Sequence, residues 1–182
     1  MKQADIVVTN PPFILFREYV AQLMAYDKKF ICIGNKNAIT YKDFFPLLKD
    51  NKVWLGHTSP KEFLQPDDSI KKFGNISWFT NLDIIKCHEK LILWKNYTPE
   101  KYPKYDNYDA INVDRVADIP VDYDGVMGVP ITFLDKFCPE QFEILGISGD
   151  CANVVFINNK RCYGRFYVDK KRLYDRILIK KK

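Results

Sequence analysis

The stretch Asp5-Ile6-Val7-Val8-Thr9-Asn10-Pro11-Pro12-Phe13 constrains the fold more than any other part of the chain. A short β-branched run that stops at a polar residue and two prolines reads as a buried parallel strand delivering a rigid loop. Pro11 and Pro12 hold φ at about −65° and push the residue before each toward extended backbone, so the Asn10 carboxamide is fixed where the strand ends. Phe13 closes the turn with a flat apolar face. Open α/β sheets bind ligands outside the carboxyl ends of their strands, which is where this loop falls.

Such a loop suits capture of a planar ring that carries an amino group. The Asn10 side-chain oxygen accepts one N–H, the Pro11 carbonyl accepts the second, and Phe13 stacks on the ring. Delocalisation into the ring makes that amine a poor nucleophile, and two acceptors off the ring plane draw it toward a reactive geometry. Positioning then replaces a general base. Alone, Asn-Pro-Pro-Phe is equally a β-to-α turn; the strand before it and the helical pattern after it raise it to a candidate site.

These residues resemble the (Asp/Asn/Ser)-Pro-Pro-(Tyr/Phe/Trp) motif of amino-methyltransferases that use S-adenosylmethionine. The stretches 27–51, 78–83, 102–113, 122–146 and 171–182 narrow the resemblance to the EcoRI-type adenine-specific DNA methyltransferases. DGVMGVPITFLDK is far more specific than the tetrapeptide, and Gly149 to Val168 has no match. The resemblance implies a restriction-modification enzyme that moves a methyl group from S-adenosylmethionine to N6 of an adenine flipped out of double-stranded DNA. It assigns Asn10, Pro11, Pro12 and Phe13 to catalysis, and Asn10 also to the cofactor.

The chain has 182 residues, 47% hydrophobic and 15% aromatic, enough for one globular domain with a core. Its apolar runs are too short to span a bilayer and no signal-peptide pattern opens it, so a cytoplasmic protein without a membrane segment is expected. Cys32, Cys87, Cys138, Cys151 and Cys162 are irregularly spaced, which suits reduced thiols rather than a disulfide framework or a metal site. The adjacent Cys87 and His88 lack a companion cluster.

Charge is uneven. From Lys160 to Lys182 ten Lys or Arg face Asp169 and Asp175, a local balance of +8 in a chain of net charge +5, so the other 159 residues carry −3. Lys170, Lys171, Arg172, Lys180, Lys181 and Lys182 are the candidate phosphate contacts; a solvated lysine-rich end is the competing reading.

In chain order, Phe16 to Tyr26 reads as a helix, Lys29 to Gly34 as a strand, Tyr41 to Lys49 as a helix and Lys52 to Gly56 as a strand, an alternation that implies a parallel sheet. Asn35 and Asn37 either line the Asn10 crevice or serve the turn. Thr58 to Lys72 reads as an excursion. Asn75 to Asn81 resumes a strand, giving an antiparallel pair at the sheet edge as in Rossmann-like methyltransferases. Leu91 to Trp94 reads as a further strand, Lys95 to Tyr123 as an ordered aromatic loop, Gly125 to Pro130 as a tight bend into a core segment, and Phe142 to Ile147 and Arg172 to Ile179 as late strands, the second presenting cations along an edge.

The expected fold is therefore α/β: the carboxyl-terminal half of a Rossmann-like methyltransferase sheet with additional β and loop elements. As one domain, residues 1–182 divide into a Rossmann-like half, about 1–94, and a family-specific extension, about 95–182. The cofactor's glycine loop and ribose-binding acid are not encoded before Asp5, so the expectation is a portion of a longer enzyme whose missing amino-terminal half is its partner. Ile6 to Val8 would then lie on an uncovered edge, favouring a homo-oligomer, and the portion alone would be inactive. Two alternatives stay open: a catalytically inert nucleic-acid-binding module, and a methyltransferase acting on a protein glutamine amide.

Overall fold

Pro11 has no N–H to give to a ladder, so the first strand has to stop before it, and β1 (Ile6–Thr9) does. In the computed structural model, which describes residues 4–151, 155–157, 160–162 and 164–182, the chain divides into two units, 1–87 and 88–182. In the first unit β1 lies parallel to β2 (Lys29–Asn35), with Ile6 opposite Lys29 and Thr9 opposite Cys32. A 3-10 turn, Phe13–Leu15, and helix α1 (Phe16–Ala25) make the crossover. The helix stops where Asp27 takes a left-handed φ of 48° and the Lys28 N–H donates back to the Leu23 carbonyl at 2.9 Å.

A second 3-10 turn, Lys36–Thr40, leads to helix α2 (Phe45–Lys49), which begins four residues later than its apolar pattern suggests because Pro46 belongs in a first turn. The chain continues through β3 (Trp54–Leu55), a hairpin of β4 (Glu62–Leu64) and β5 (Ile70–Lys72) within the expected excursion, and β6 (Ile76–Thr80). The sheet order is β1-β2-β6-β3. The expected alternation holds in strand direction, since β1, β2 and β3 run the same way, but β2 and β3 are not neighbours: β6 runs antiparallel to both and separates them. Its Ile76, Ser77, Phe79 and Thr80 are buried, and that apolar strand takes the interior position that a two-residue β3 cannot fill. The expected antiparallel edge pair is present as β6 and β3. The expectation of a buried first strand is also corrected, since β1 is an edge strand and Ile6 and Val8 are 51% and 67% exposed.

Three rings hold this unit together. Phe16, Phe44 and Phe79 are each almost fully buried, with centroids 5.0–5.4 Å apart, and each contributes on the order of 1.5–3 kcal/mol by burial. Gly34 of β2 lies under Phe16 so closely that a Cβ there would meet the ring at 2.5 Å. Asn81 pins the other end of the sheet: its side-chain oxygen accepts from Phe30 N at 2.8 Å and its amide donates to the Lys28 carbonyl at 2.9 Å.

The second unit is built on β7 (Lys104–Tyr105), β8 (Tyr108–Asn112), β9 (Met127–Pro130), β10 (Phe142–Ile147), a hairpin of β11 (Val155–Ile157) and β12 (Lys160–Cys162), a second hairpin of β13 (Tyr167–Val168) and β14 (Lys171–Arg172), and β15 (Arg176–Lys181). Its main sheet has the order β10-β15-β9-β8-β7. Four expectations change here. The run Lys95 to Tyr123 contains β7 and β8 rather than loop alone. Leu91 to Trp94 is not a strand, because the Gln141 side chain satisfies Leu91 in a strand's place, accepting from its N–H at 2.7 Å and donating to its carbonyl at 2.9 Å. The last strand starts at Arg176 and lies inside the sheet, not along an edge. Gly128 makes no bend: it is a strand residue over which Tyr105 lies, and a Cβ there would stand 1.9 Å from the phenol oxygen.

That phenol belongs to a buried polar network. Tyr105 donates to the Asn112 side-chain oxygen at 3.1 Å, Arg176 Nε donates to the same oxygen at 3.2 Å, and Asn112 donates to Asp114 at 2.7 Å. Burial pushes the Tyr105 phenol far above its ordinary pKa, so it stays neutral.

Two substitutions test these close approaches. Gly34→Ala should lower stability by about 1–3 kcal/mol, the usual penalty for overpacking a filled core. Gly128→Ala should cost at least as much, and Tyr105→Phe in that background should recover part of the loss by removing the oxygen nearest the added methyl. Denaturant midpoints measure all three, and an unshifted midpoint for either glycine variant contradicts the packing described.

Candidate active site

Local chemistry shapes the loop that follows β1. Pro11 is buried, and three residues past Phe13, Phe16 is 1% exposed in the aromatic core. Between those anchors Pro12 is extended, with φ −54° and ψ 129°, and its carbonyl accepts from Leu15 N at 2.9 Å to close the 3-10 turn. The Pro12 oxygen is thereby committed to the turn. Asn10 and Phe13, in contrast, face solvent, Phe13 with 37% of its surface exposed. Two residues of the loop hold it and two are presented.

Parallel pairing carries the end of β2 to the same side of the sheet. There Asn35 accepts from Asn37 N at 2.9 Å, and the Asn75 side-chain amide bridges Asn35 at 3.1 Å and Asn37 at 2.7 Å. The Lys36 N–H donates to the Asn75 carbonyl at 2.9 Å. Of the two roles open to Asn35 and Asn37, the turn role is the one these bonds show. From sequence Asn75 reads only as the start of a strand, because an Asn placed to cross from one strand to an Asn-x-Asn turn leaves no local sequence signal.

Cys32, Cys87 and Cys138 are buried, and burial pushes the Cys32 thiol up to about 12, which leaves it inert as a nucleophile. The side chains of Cys151 and Cys162 lie outside the described residues, as do those of Lys160 and Arg161. His88 Nδ1 lies 3.0 Å from Glu140. Among the described residues no group of His, Cys, Asp or Glu could hold a metal, and no helix is long and apolar enough to cross a membrane.

The basic candidates separate into two kinds. Lys170, Lys171, Arg172, Lys180 and Lys182 are exposed. Lys181 is not, its side chain being 15% exposed, donating to the Val121 carbonyl at 2.5 Å and pairing with Asp124 at 3.2 Å. Its first use is to hold the strand end to the 121–124 segment.

The sequence matches the family described as adenine-specific methyltransferase EcoRI over residues 1–182, a range that includes the stretch 149–168 left unmatched by motif reading. It is 48% identical over 193 residues to the type II methyltransferase M.EcoRI of Escherichia coli, covering 88% of this chain and 59% of that protein. The type II methyltransferase M.MpnI of Mycoplasma pneumoniae is 41% identical over 166 residues, covering 80% of this chain and 52% of its own length. M.MgeORF184P of Mycoplasma genitalium, also named a type II methyltransferase, is 36% identical over 214 residues, covering 93% of this chain and 66% of its own length. The chain thus spans between about half and two thirds of these curated relatives. No solved structure matches it.

Proposed function

Because the chain belongs to the EcoRI family of adenine-specific methyltransferases, we propose that it carries the target-base site of a DNA N6-adenine methyltransferase of a restriction-modification system. One observation carries this reading: Asn10 and Phe13 are presented together at the carboxyl end of β1 by a loop whose other two contacts, Pro11 and Phe16, are buried. A flipped adenine would stack its ring on Phe13 and give one N6 hydrogen to the Asn10 side-chain oxygen and the other to the Pro11 carbonyl. The Pro12 carbonyl is already taken by Leu15 N, which leaves Pro11 as the backbone acceptor in the loop.

Two acceptors on one amine pull its lone pair out of conjugation with the ring, and that is the chain's contribution to the reaction. S-adenosylmethionine, the donor the family implies, supplies an electrophilic methyl group. The exposed Asn10 and Phe13 fit the reacting end of that donor, where a small methyl group has to meet a held amine. The strand order β1-β2-β6-β3, with β6 and β3 as an antiparallel pair at the far edge, supports the reading of 1–87 as the carboxyl-terminal half of a Rossmann-like methyltransferase sheet. Residues 88–182 are then the family-specific extension. Duplex DNA is the partner, and the exposed edge of β1 is the surface on which a further strand, a second copy's included, would pair.

Asn10→Ala removes one preorganised acceptor and should lower turnover on adenine-containing duplex DNA by about 10²-fold or more, with an unchanged denaturation midpoint. Turnover within a few-fold of the unsubstituted protein sinks the assignment. Phe13→Ala should weaken binding of a duplex mispaired at the target base by about 1–3 kcal/mol, the usual worth of stacking on an aromatic side chain. Equal affinity for that duplex would remove Phe13 from the site.

A further inference from the structure

The hairpin of β13 and β14 projects three consecutive cations from an unusually well-held base. Its two-residue turn, Asp169 and Lys170, has left-handed φ values of 48° and 63°, and Tyr167 and Val168 pair with Arg172 and Lys171. Asp106 fixes both sides of it: the Asp106 N–H donates to the Tyr167 carbonyl at 2.8 Å and its carboxylate accepts from Lys170 N at 2.8 Å. Asn107 donates to the Arg165 carbonyl at 2.8 Å and accepts from Tyr167 N at 3.2 Å. Phe166, fully buried, stacks on Tyr105 with centroids 4.4 Å apart. Lys170, Lys171 and Arg172 therefore stand on a base tied to the core of their unit, not on a loose tail.

Beside the hairpin runs an open groove of about 320 Å³ lined by Arg165, Arg172, Leu173, Tyr174 and Asp175. Asp175 is the acidic residue of that lining, and it is neutralised by Arg165 at 2.5 Å and accepts from Ser148 Oγ at 3.1 Å. Among the described residues, none of the side chains of Lys170, Lys171 and Arg172 is paired with a carboxylate. Tyr174 is 89% exposed. A large ring left in water in the same groove as Arg172, on the hairpin that carries Lys170 and Lys171, is what a surface built for a polyanion with flat apolar faces would carry.

Resting on the reading of this family member as a DNA enzyme, we propose that the 167–172 hairpin and Tyr174 form one grip on duplex DNA, distinct from the Asn10 loop. Lys170, Lys171 and Arg172 lie against backbone phosphates, and Tyr174 packs its ring on a sugar or base edge between them. Phosphate contacts set position, and the ring adds an attraction that salt does not screen.

Affinity of the protein for a labelled duplex, measured across a salt series, tests this. Lys170→Ala and Lys171→Ala should each reduce the slope of log affinity against log salt by about 0.9. Tyr174→Ala should weaken binding about tenfold at an unchanged slope, and Tyr174→Phe should bind as the unsubstituted protein does. Unaltered affinity and slope in the alanine variants overturn the proposal, and so does an affinity loss matched by a lowered denaturation midpoint, or tighter binding of single strands than of the duplex. If the hairpin variants bind normally while Asn10→Ala abolishes methylation, this grip fails and the function stands. If the unsubstituted protein binds no duplex, the function it rests on fails with it.

Discussion

Burial of the Phe16 ring is the interaction on which the first unit depends. It is the first residue of α1, it lies on Gly34 near the end of β2, and it touches Phe44 and Phe79, so one side chain ties the crossover helix to two strands and to the turn before α2. The loop that presents Asn10 and Phe13 ends in this ring. Its placement is therefore a property of the core, and a change that loosens Phe16 would be felt at Asn10 without any contact between them. This is the physical content of preorganisation here: the presented groups need not be ordered by a ligand, because burial has already ordered what carries them.

The second unit is held in a different way. Its interior strand β15 contributes Arg176, 9% exposed, whose guanidinium shares the Asn112 oxygen with Tyr105. Buried polar groups stabilise only when each is satisfied, so Asn112, Tyr105, Arg176 and Asp114 stand or fall as a set. Gly128 is part of that set although it has no side chain, because it makes the room in which the phenol reaches its acceptors, its own carbonyl among them at 3.2 Å.

What the sequence makes legible is what local constraint decides. Two prolines end a strand and a helical pattern brings Phe16 inward, so the candidate loop could be read residue by residue. The insertion of β6 could not, because it is chosen by pairing Ile31 to Asn35 with Ile76 to Thr80, and nothing near β2 announces a partner so far along the chain. Gly128 is illegible locally for the same reason: its explanation is a phenol 23 residues earlier. The basic end was legible as charge and not as geometry, since only three-dimensional structure separates Lys181, held by Asp124, from the cations of the 167–172 hairpin.

Gln141 has a consequence for solubility. The run Leu91 to Trp94 is four apolar residues, with Ile92 and Trp94 88% and 66% exposed, and a segment of that kind with unmet backbone groups is a nucleus for cross-β stacking between molecules. The Gln141 carboxamide occupies the Leu91 donor and acceptor at the start of the run, and a bridge between Lys95 and Pro120 closes its far end. With both ends engaged inside their own unit, the run is a poor template for fibril growth. A single side chain here stands in for a neighbouring strand, meeting inside its own unit backbone groups through which the run would otherwise pair with another molecule.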